Sequence, residues 1–131
     1  MIELPLSILI VDDEIELAIL YREFSNDLGY DAISFTDPSL ALEHFKSGNK
    51  EYSLVLTDMR MPTMHGIELA TRMRAINNKI KIFLMTAFDI ADIENQNQYK
   101  SAKIDGLIQK PIKLSILKDI FKHCSLRPTL K

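Results

Sequence analysis

The sequence predicts an α/β fold, a single doubly wound parallel sheet of five strands with five helices. Two observations lead there. Five short apolar runs alternate with five stretches of helical character, an order that builds parallel strands joined by right-handed crossovers, with helices on both faces. The runs Ile8 to Val11 and Ile82 to Met85 contain no polar residue, as expected of strands buried on both sides.

Taken in order, Ser7 to Val11 is the first strand, closed by Asp12 and Asp13. Asp13 to Leu28 follows as a helix, with Ile15, Ala18, Ile19, Phe24 and Leu28 as its expected buried stripe and Gly29 as its stop. Asp31 to Phe35 is the second strand. Asp37-Pro38 supplies an N-cap and a proline in the first turn of a helix that runs through Phe45 and ends at Gly48. Ser53 to Leu56 is the third strand, Ile67 to Ile76 the third helix, and Ile80 to Met85 the fourth strand. Between Asp89 and Asp105 the signal is weak. Ile90, Ile93, Tyr99 and Ala102 make a narrow stripe, but Asn95 to Gln98 is a polar run containing two asparagines, which are poor helix formers. One short, exposed and mobile helix is expected there. A strand from Gly106 to Ile108 and a helix from Leu114 to about His123 complete the alternation.

Composition narrows the function classes. With 131 residues, 47% of them hydrophobic and 26% charged, the chain fits one domain, with a core from about 7 to 123 and a short tail at 124–131. That tail is too short for an output domain, so the single domain is expected to carry the activity. A formal net charge of -2 gives no global attraction to nucleic acid or to an anionic membrane. The apolar runs are too short to span a bilayer, and Met1-Ile2-Glu3 lacks the basic and apolar regions of a leader, so a soluble cytoplasmic protein is expected. Cys124, the only cysteine, excludes an internal disulfide and a cysteine-built zinc site, and reads as an apolar filler. His44, His65 and His123 make neither a metal-ligand spacing nor a nucleophile–base pair and read as surface residues.

The chemistry-bearing residues are Asp12, Asp13, Asp58, Thr86 and the pair Lys110-Pro111, each at the carboxyl end of an apolar run. In an open parallel sheet, ligands bind outside those strand ends, so residues far apart in sequence converge on one crevice. Three carboxylates, a hydroxyl and an ammonium together suit a divalent cation beside a phosphoryl group. Each signal has an ordinary structural explanation when taken alone. Asp12-Asp13 also fits a strand-end turn with a helix cap, Asp58 a loop residue, and Thr86 strand packing. Lys110-Pro111 is more specific, because a cis X-Pro bond directly after a strand can aim the lysine into the crevice.

Together the blocks Val11-Asp12-Asp13-Glu14, Thr57-Asp58-Met59-Arg60-Met61-Pro62 with Met64 and Gly66, Met85-Thr86-Ala87, and Lys110-Pro111 resemble the receiver domain of two-component response regulators, over essentially Ser7 to His123. The resemblance implies a flavodoxin-like sheet of order 2-1-3-4-5, as in stand-alone chemotaxis-type receivers. It implies Asp58 as the phosphoacceptor, charged by a sensor histidine kinase, a histidine phosphotransfer protein or a small phosphodonor. Mg²⁺, or Mn²⁺, would be held by Asp13, Asp58 and the backbone carbonyl of Arg60, with Asp12 acting largely through water. Met59 and Ala87 would be phosphoryl-binding. Thr86 and Lys110 would meet phosphoryl oxygens, and the switch would run through Thr86, Leu107 and Pro111.

Leu107 stands where the family usually has an aromatic residue, so an aromatic rotamer readout is absent and the switch rests on the loops and the weak helix. Arg60 and Phe88, each two residues beyond a key position, would flank the path of attacking water, and this bulky pair predicts slow hydrolysis of the acyl phosphate. The implied protein catalyses only its own phosphorylation and dephosphorylation. It is a monomer or an activation-dependent dimer, and it signals to a downstream protein through the face near Asp89 to Leu117. Two alternatives stay open: a receiver-shaped interaction module that is never phosphorylated, and a magnesium-dependent aspartyl phosphohydrolase. The latter needs a second acid two residues after the nucleophile, where this chain has Arg60.

Overall fold

A computed structural model describes residues 6–125, so Met1 to Glu3 and residues 126–131 of the expected tail lie outside the described residues. The elements are β1 (Ser7–Val11), α1 (Ile15–Asp27), β2 (Asp31–Phe35), α2 (Pro38–Ser47), β3 (Leu54–Asp58), α3 (Gly66–Ile76), β4 (Lys81–Thr86), α4 (Ile90–Glu94), α5 (Asn97–Ala102), β5 (Gly106–Gln109) and α6 (Leu114–Ser125). All strand pairs are parallel, and the order is β2-β1-β3-β4-β5, as the resemblance implied.

The continuous apolar strands are shared between two cores. Side chains alternate across a strand, so Ile8, Ile10, Leu54, Leu56 and Met85 pack with Tyr21 of α1 and with Leu117 and Phe121 of α6. Leu9, Val11, Val55, Ile82 and Leu84 pack on the other face with α2, α3, Ile93 of α4 and Ala102 of α5. Both faces of β1 and β3 are therefore buried, which is why their sequences show no period-two polarity.

Helix ends follow local chemistry. The Asp37 carboxylate accepts the Ser39 N–H at 2.8 Å and Pro38 opens α2, while Gly48 closes it at φ 69°, a left-handed conformation that suits glycine. Cys124 is half-buried against the α1/α6 core, as a filler would be.

Three expectations are corrected. In α1 the buried residues are Ala18, Tyr21 and Ser25, whereas Ile15 is 63% exposed and Ile19 36% exposed. The true stripe therefore lies to one side of the expected one, and Ser25 tolerates burial because its hydroxyl donates to the Tyr21 carbonyl at 2.7 Å. The weak segment is two short helices instead of one. The Asp89 carboxylate caps α4 by accepting the Ala91 N–H, and the polar run then breaks the helix at Asn95 and Gln96, with Gln96 extended at ψ 136°. His44 is half-buried, its Nε2 2.7 Å from the Tyr52 hydroxyl and its ring beside Phe35. Burial pushes the Tyr52 hydroxyl up to about 12, so it stays neutral beside the imidazole.

Candidate functional site

Parallel register brings the expected residues to one edge of the sheet. Val11 pairs with Thr57, Asp58 with Met85, and Thr86 with Gln109. Asp12-Asp13, Asp58, Thr86 and Lys110 therefore all stand at or just past carboxyl-terminal strand ends, around a crevice of about 630 Å³. The Lys110-Pro111 bond is cis, as expected, and the Lys110 N–H donates to the Thr86 carbonyl at 2.7 Å, which joins the ends of β5 and β4.

The Lys110 ammonium lies 3.3 Å from Asp12 Oδ2 and 3.2 Å from Asp58 Oδ1. Asp12 is fully buried, and its other oxygen accepts the Glu14 N–H at 3.0 Å. Asp58 is only 7% exposed, whereas Asp13 is open to solvent. One oxygen from each of Asp12, Asp13 and Asp58 can be chosen so that all lie within 4.8 Å of one another. Three carboxylates face one ammonium, an excess of negative charge that suits a divalent cation with hard oxygen ligands.

The electrostatics register this crowding. Burial, then the neighbouring Asp12 charge, pushes the Asp58 carboxyl up to about 6, against partial relief from Lys110. Burial also raises Asp12, held back by the Glu14 N–H and Lys110. For Lys110, burial draws the ammonium down, but Asp12 and Asp58 outweigh it and the net shift is upward.

The other expected residues are placed as follows. Thr86 is buried, and its Oγ1 accepts the Phe88 N–H at 2.9 Å, which leaves its own O–H proton uncommitted to that bond. Met59 and Ala87 line the crevice, while Pro111 lies in an adjoining groove with Tyr21 and Leu114. Leu107 is half-buried against the core over α2 to α5, away from any aromatic role. Arg60 and Phe88 meet directly, the guanidinium carbon 4.9 Å from the ring centroid. Exposed Ile15, Ile19 and Leu20 put an apolar surface on α1 just after the two acids.

Three contributors were not singled out from sequence. Gln109 donates from Nε2 to the carbonyls of Thr86 and Phe88, at 3.0 and 3.1 Å. Tyr21, which the expected stripe of α1 left out, lies buried where it feels the charges of Lys110, Asp12 and Asp58. Arg74 ties α3 to the chain around α5 by donating to the carbonyls of Ala102 and Lys103. A polar residue at a strand end was the only available signal for Gln109, and it is a weak one.

This constellation at the switch edge of a 2-1-3-4-5 sheet agrees with the comparisons. The family model described as "Response regulator receiver domain" matches residues 8–122. The chain belongs to that family. Receiver domains are phosphorylation-accepting signalling modules of two-component systems, and this chain carries their acidic cluster. It is 32% identical over 115 residues to sporulation initiation phosphotransferase F of Bacillus subtilis, spanning 88% of this chain and 90% of that one. It is 36% identical over 113 residues to sensor protein EvgS of Escherichia coli, covering 86% of this chain but only 9% of that protein. A crystal structure of response regulator protein TrrA from Thermotoga maritima, in complex with Mg²⁺-BeF, aligns at TM-score 0.78 with 30% identity over 91% of this chain and 98% of that one. Vibrio cholerae chemotaxis protein CheY4 matches the fold at TM-score 0.82, with 20% identity over 92% of this chain and 98% of that one. No helix among the described residues is long and apolar enough to cross a membrane.

Proposed function

We propose that this receiver domain accepts a phosphoryl group on Asp58 from a sensor histidine kinase or a histidine phosphotransfer protein, and that the transfer switches a protein-interaction surface. The observation that carries this reading is the Lys110 ammonium held between Asp12 and Asp58 inside a three-carboxylate cluster.

With its carboxyl at about 6, Asp58 is mostly ionised at neutral pH and is a ready nucleophile. Its oxygen forms the new O–P bond as the donor's P–N bond breaks, and the phosphohistidine imidazole leaves. Such a loose transition state asks for alignment and charge neutralisation more than for a general base. Lys110 is already within ion-pair distance of the acceptor and supplies one positive charge to an incoming phosphoryl oxygen. The O–H of Thr86 donates to another oxygen, and the peptides at Met59 and Ala87 line the pocket around it. Asp12, Asp13, Asp58 and the Arg60 carbonyl are the groups that would hold Mg²⁺ or Mn²⁺, which when bound neutralises further phosphoryl charge. The Mg²⁺-BeF complex of TrrA, a receiver-fold relative, supports magnesium as the cation.

Thr86 cannot turn toward a phosphoryl group without releasing the Phe88 N–H, so transfer pulls on the loop that leads into α4. In this reading the output surface is the Asp89 to Leu117 face, for a downstream protein to read in the cytoplasm. Exposed Ile15, Ile19 and Leu20 of α1 offer the phosphodonor protein an apolar footing beside the crevice. The match to a short segment of a sensor protein and to a phosphotransferase supports a histidine-containing donor. Turnover as a phosphohydrolase is not part of this reading, because the position of the second acid is Arg60, stacked on Phe88.

Intact-protein mass after incubation with Mg²⁺ and acetyl phosphate tests the proposal. One added phosphoryl group that disappears in Asp58→Asn and in the metal-free control is expected. An unmodified wild type that also fails to bind Mg²⁺ would instead favour a receiver-shaped module that is never phosphorylated.

A further inference from the structure

The loop between β4 and α4 is held from the far side by a residue the phosphoryl chemistry does not use. Gln109 pairs with Thr86 in the sheet, and its Nε2 reaches past that partner to two carbonyls, Thr86 O at 3.0 Å and Phe88 O at 3.1 Å. Both partners are acceptors, so the amide must present its nitrogen, which has one hydrogen for each. The two carbonyls bracket Ala87, whose neighbour Phe88 carries the ring stacked on Arg60 at 4.9 Å. The Lys110 N–H adds a second hydrogen bond to the Thr86 carbonyl at 2.7 Å, but only Gln109 hydrogen-bonds to Phe88 from β5 among the described residues.

We propose that Gln109 is a positioning residue that latches the Thr86–Phe88 loop, keeps the Phe88 ring on Arg60, and so lengthens the life of the phosphorylated state. The inference rests on Asp58 being the phosphoacceptor. Loss of the phosphoryl group is attack by water oxygen on phosphorus. The P–O bond to Asp58 breaks, its carboxylate leaves as the anion, and inorganic phosphate and a proton are released to solvent. Arg60 and Phe88 cover the approach of that water, and Gln109 acts on it only through where Phe88 stands. An unbranched thioether side chain of similar length keeps the stem and removes both donors, which makes Gln109→Met the informative variant.

The test follows decay of the phosphorylated form by intact mass after removal of acetyl phosphate, in wild type, Gln109→Met, Phe88→Ala and the double variant. Losing these neutral hydrogen bonds should quicken decay in Gln109→Met about two- to fivefold, no more than Phe88→Ala does, because Gln109 acts only through the ring. In the Phe88→Ala background the same change should have no further effect, because the latch then has no ring to hold. A second readout needs no phosphoryl group: the ring-current shift of the Arg60 δ-protons by NMR should be present in wild type and collapse in Gln109→Met. An unchanged lifetime, an acceleration that persists without Phe88, or a retained ring-current shift would overturn the latch and leave the acceptor reading intact. A wild type that takes no phosphoryl group would remove the acceptor reading and the effect on lifetime, while the NMR shift still decides whether Gln109 places the ring.

Discussion

The Arg60 guanidinium lies 4.9 Å from the centroid of the Phe88 ring, so two residues that are 28 positions apart in sequence close over one side of the crevice. Each is exposed, and neither contributes to the core. Both line the crevice beside Asp58, and shielding of a phosphoryl group there from water is the expectation to test. A cation–π contact at an exposed site is worth about 0.5–1 kcal/mol, so Phe88→Ala should hasten loss of the phosphoryl group about two- to fivefold. Pulse–chase mass measurement reads this directly, and a wild-type half-life of only seconds would show that the pair shields nothing.

The Asp58 carboxyl gives a pH-dependent stability of definite sign. Its folded value of about 6 lies above the ordinary 3.8, chiefly through burial, so between those values the folded chain holds more protons than the unfolded one. Stability from this group is then fully present below 3.8 and is lost as pH rises through about 6. Asp58→Asn has no charge to bury. In EDTA it should be more stable than wild type by about 1–3 kcal/mol at pH 8. At pH 4 the two should nearly converge. Urea titrations at the two pH values check this, and a gap that does not change with pH would contradict the assigned cause.

Much of this was legible because the strands are continuous apolar runs and because the site residues close them. Burial on both faces forces such runs, and a parallel sheet then forces the residues after them to one edge. The Asp37-Pro38 cap and the Gly48 stop were legible for a similar reason, since each acts within its own turn. The stripe of α1 was not. Ile15 and Ile19 have the right spacing with Ala18, but Tyr21 and Ser25 share Ala18's face equally well, and only packing against β1 and β2 decides between the two. Gln109, Arg74 and the His44–Tyr52 pair were illegible because their partners come from other elements. The Asn95–Gln96 break lay between: the polar run was visible as weakness, but not as two separate short helices, of which only the first has a side-chain cap.

Gly66 opens α3 directly behind Asp58, the proposed acceptor. Its N–H donates to the Met59 carbonyl at 2.8 Å, and a Cβ there would collide with the Asp58 carbonyl oxygen and sit 3.0 Å from the Met59 Cα. These are backbone atoms of β3 and the loop after it, which cannot swing aside as a side-chain tip does. Gly66→Ala should therefore cost about 1–3 kcal/mol of stability. It should also slow phosphoryl uptake from acetyl phosphate, because relief of the clash moves Asp58 itself. Denaturant unfolding together with the uptake rate tests both halves, and normal values for both would mean the α3 start yields more freely than its contacts indicate.

Arg74 fastens the end of α5 and the turn after it to α3 and the start of β4. Its guanidinium donates to the carbonyls of Ile80, Ala102 and Lys103, at 2.5, 3.4 and 2.8 Å, and pairs with Asp105 at 3.1 Å. Asp105 is itself anchored, since the same Oδ2 accepts the Ile82 N–H at 2.7 Å. With its side chain only 12% exposed, Arg74 replaces water for several backbone acceptors at once. Arg74→Met keeps much of the aliphatic stem but strands those carbonyls, so a loss of about 2–3 kcal/mol is expected. The loss should be local before it is global. α5 contributes little buried surface beyond Ala102 and half-buried Tyr99, so its amides should exchange faster in the variant while those of β1 and β3 keep their protection relative to the new global stability. Hydrogen exchange by mass spectrometry distinguishes the cases, and uniform acceleration across the sheet would show that Arg74 supports the whole fold instead of fastening this one arm.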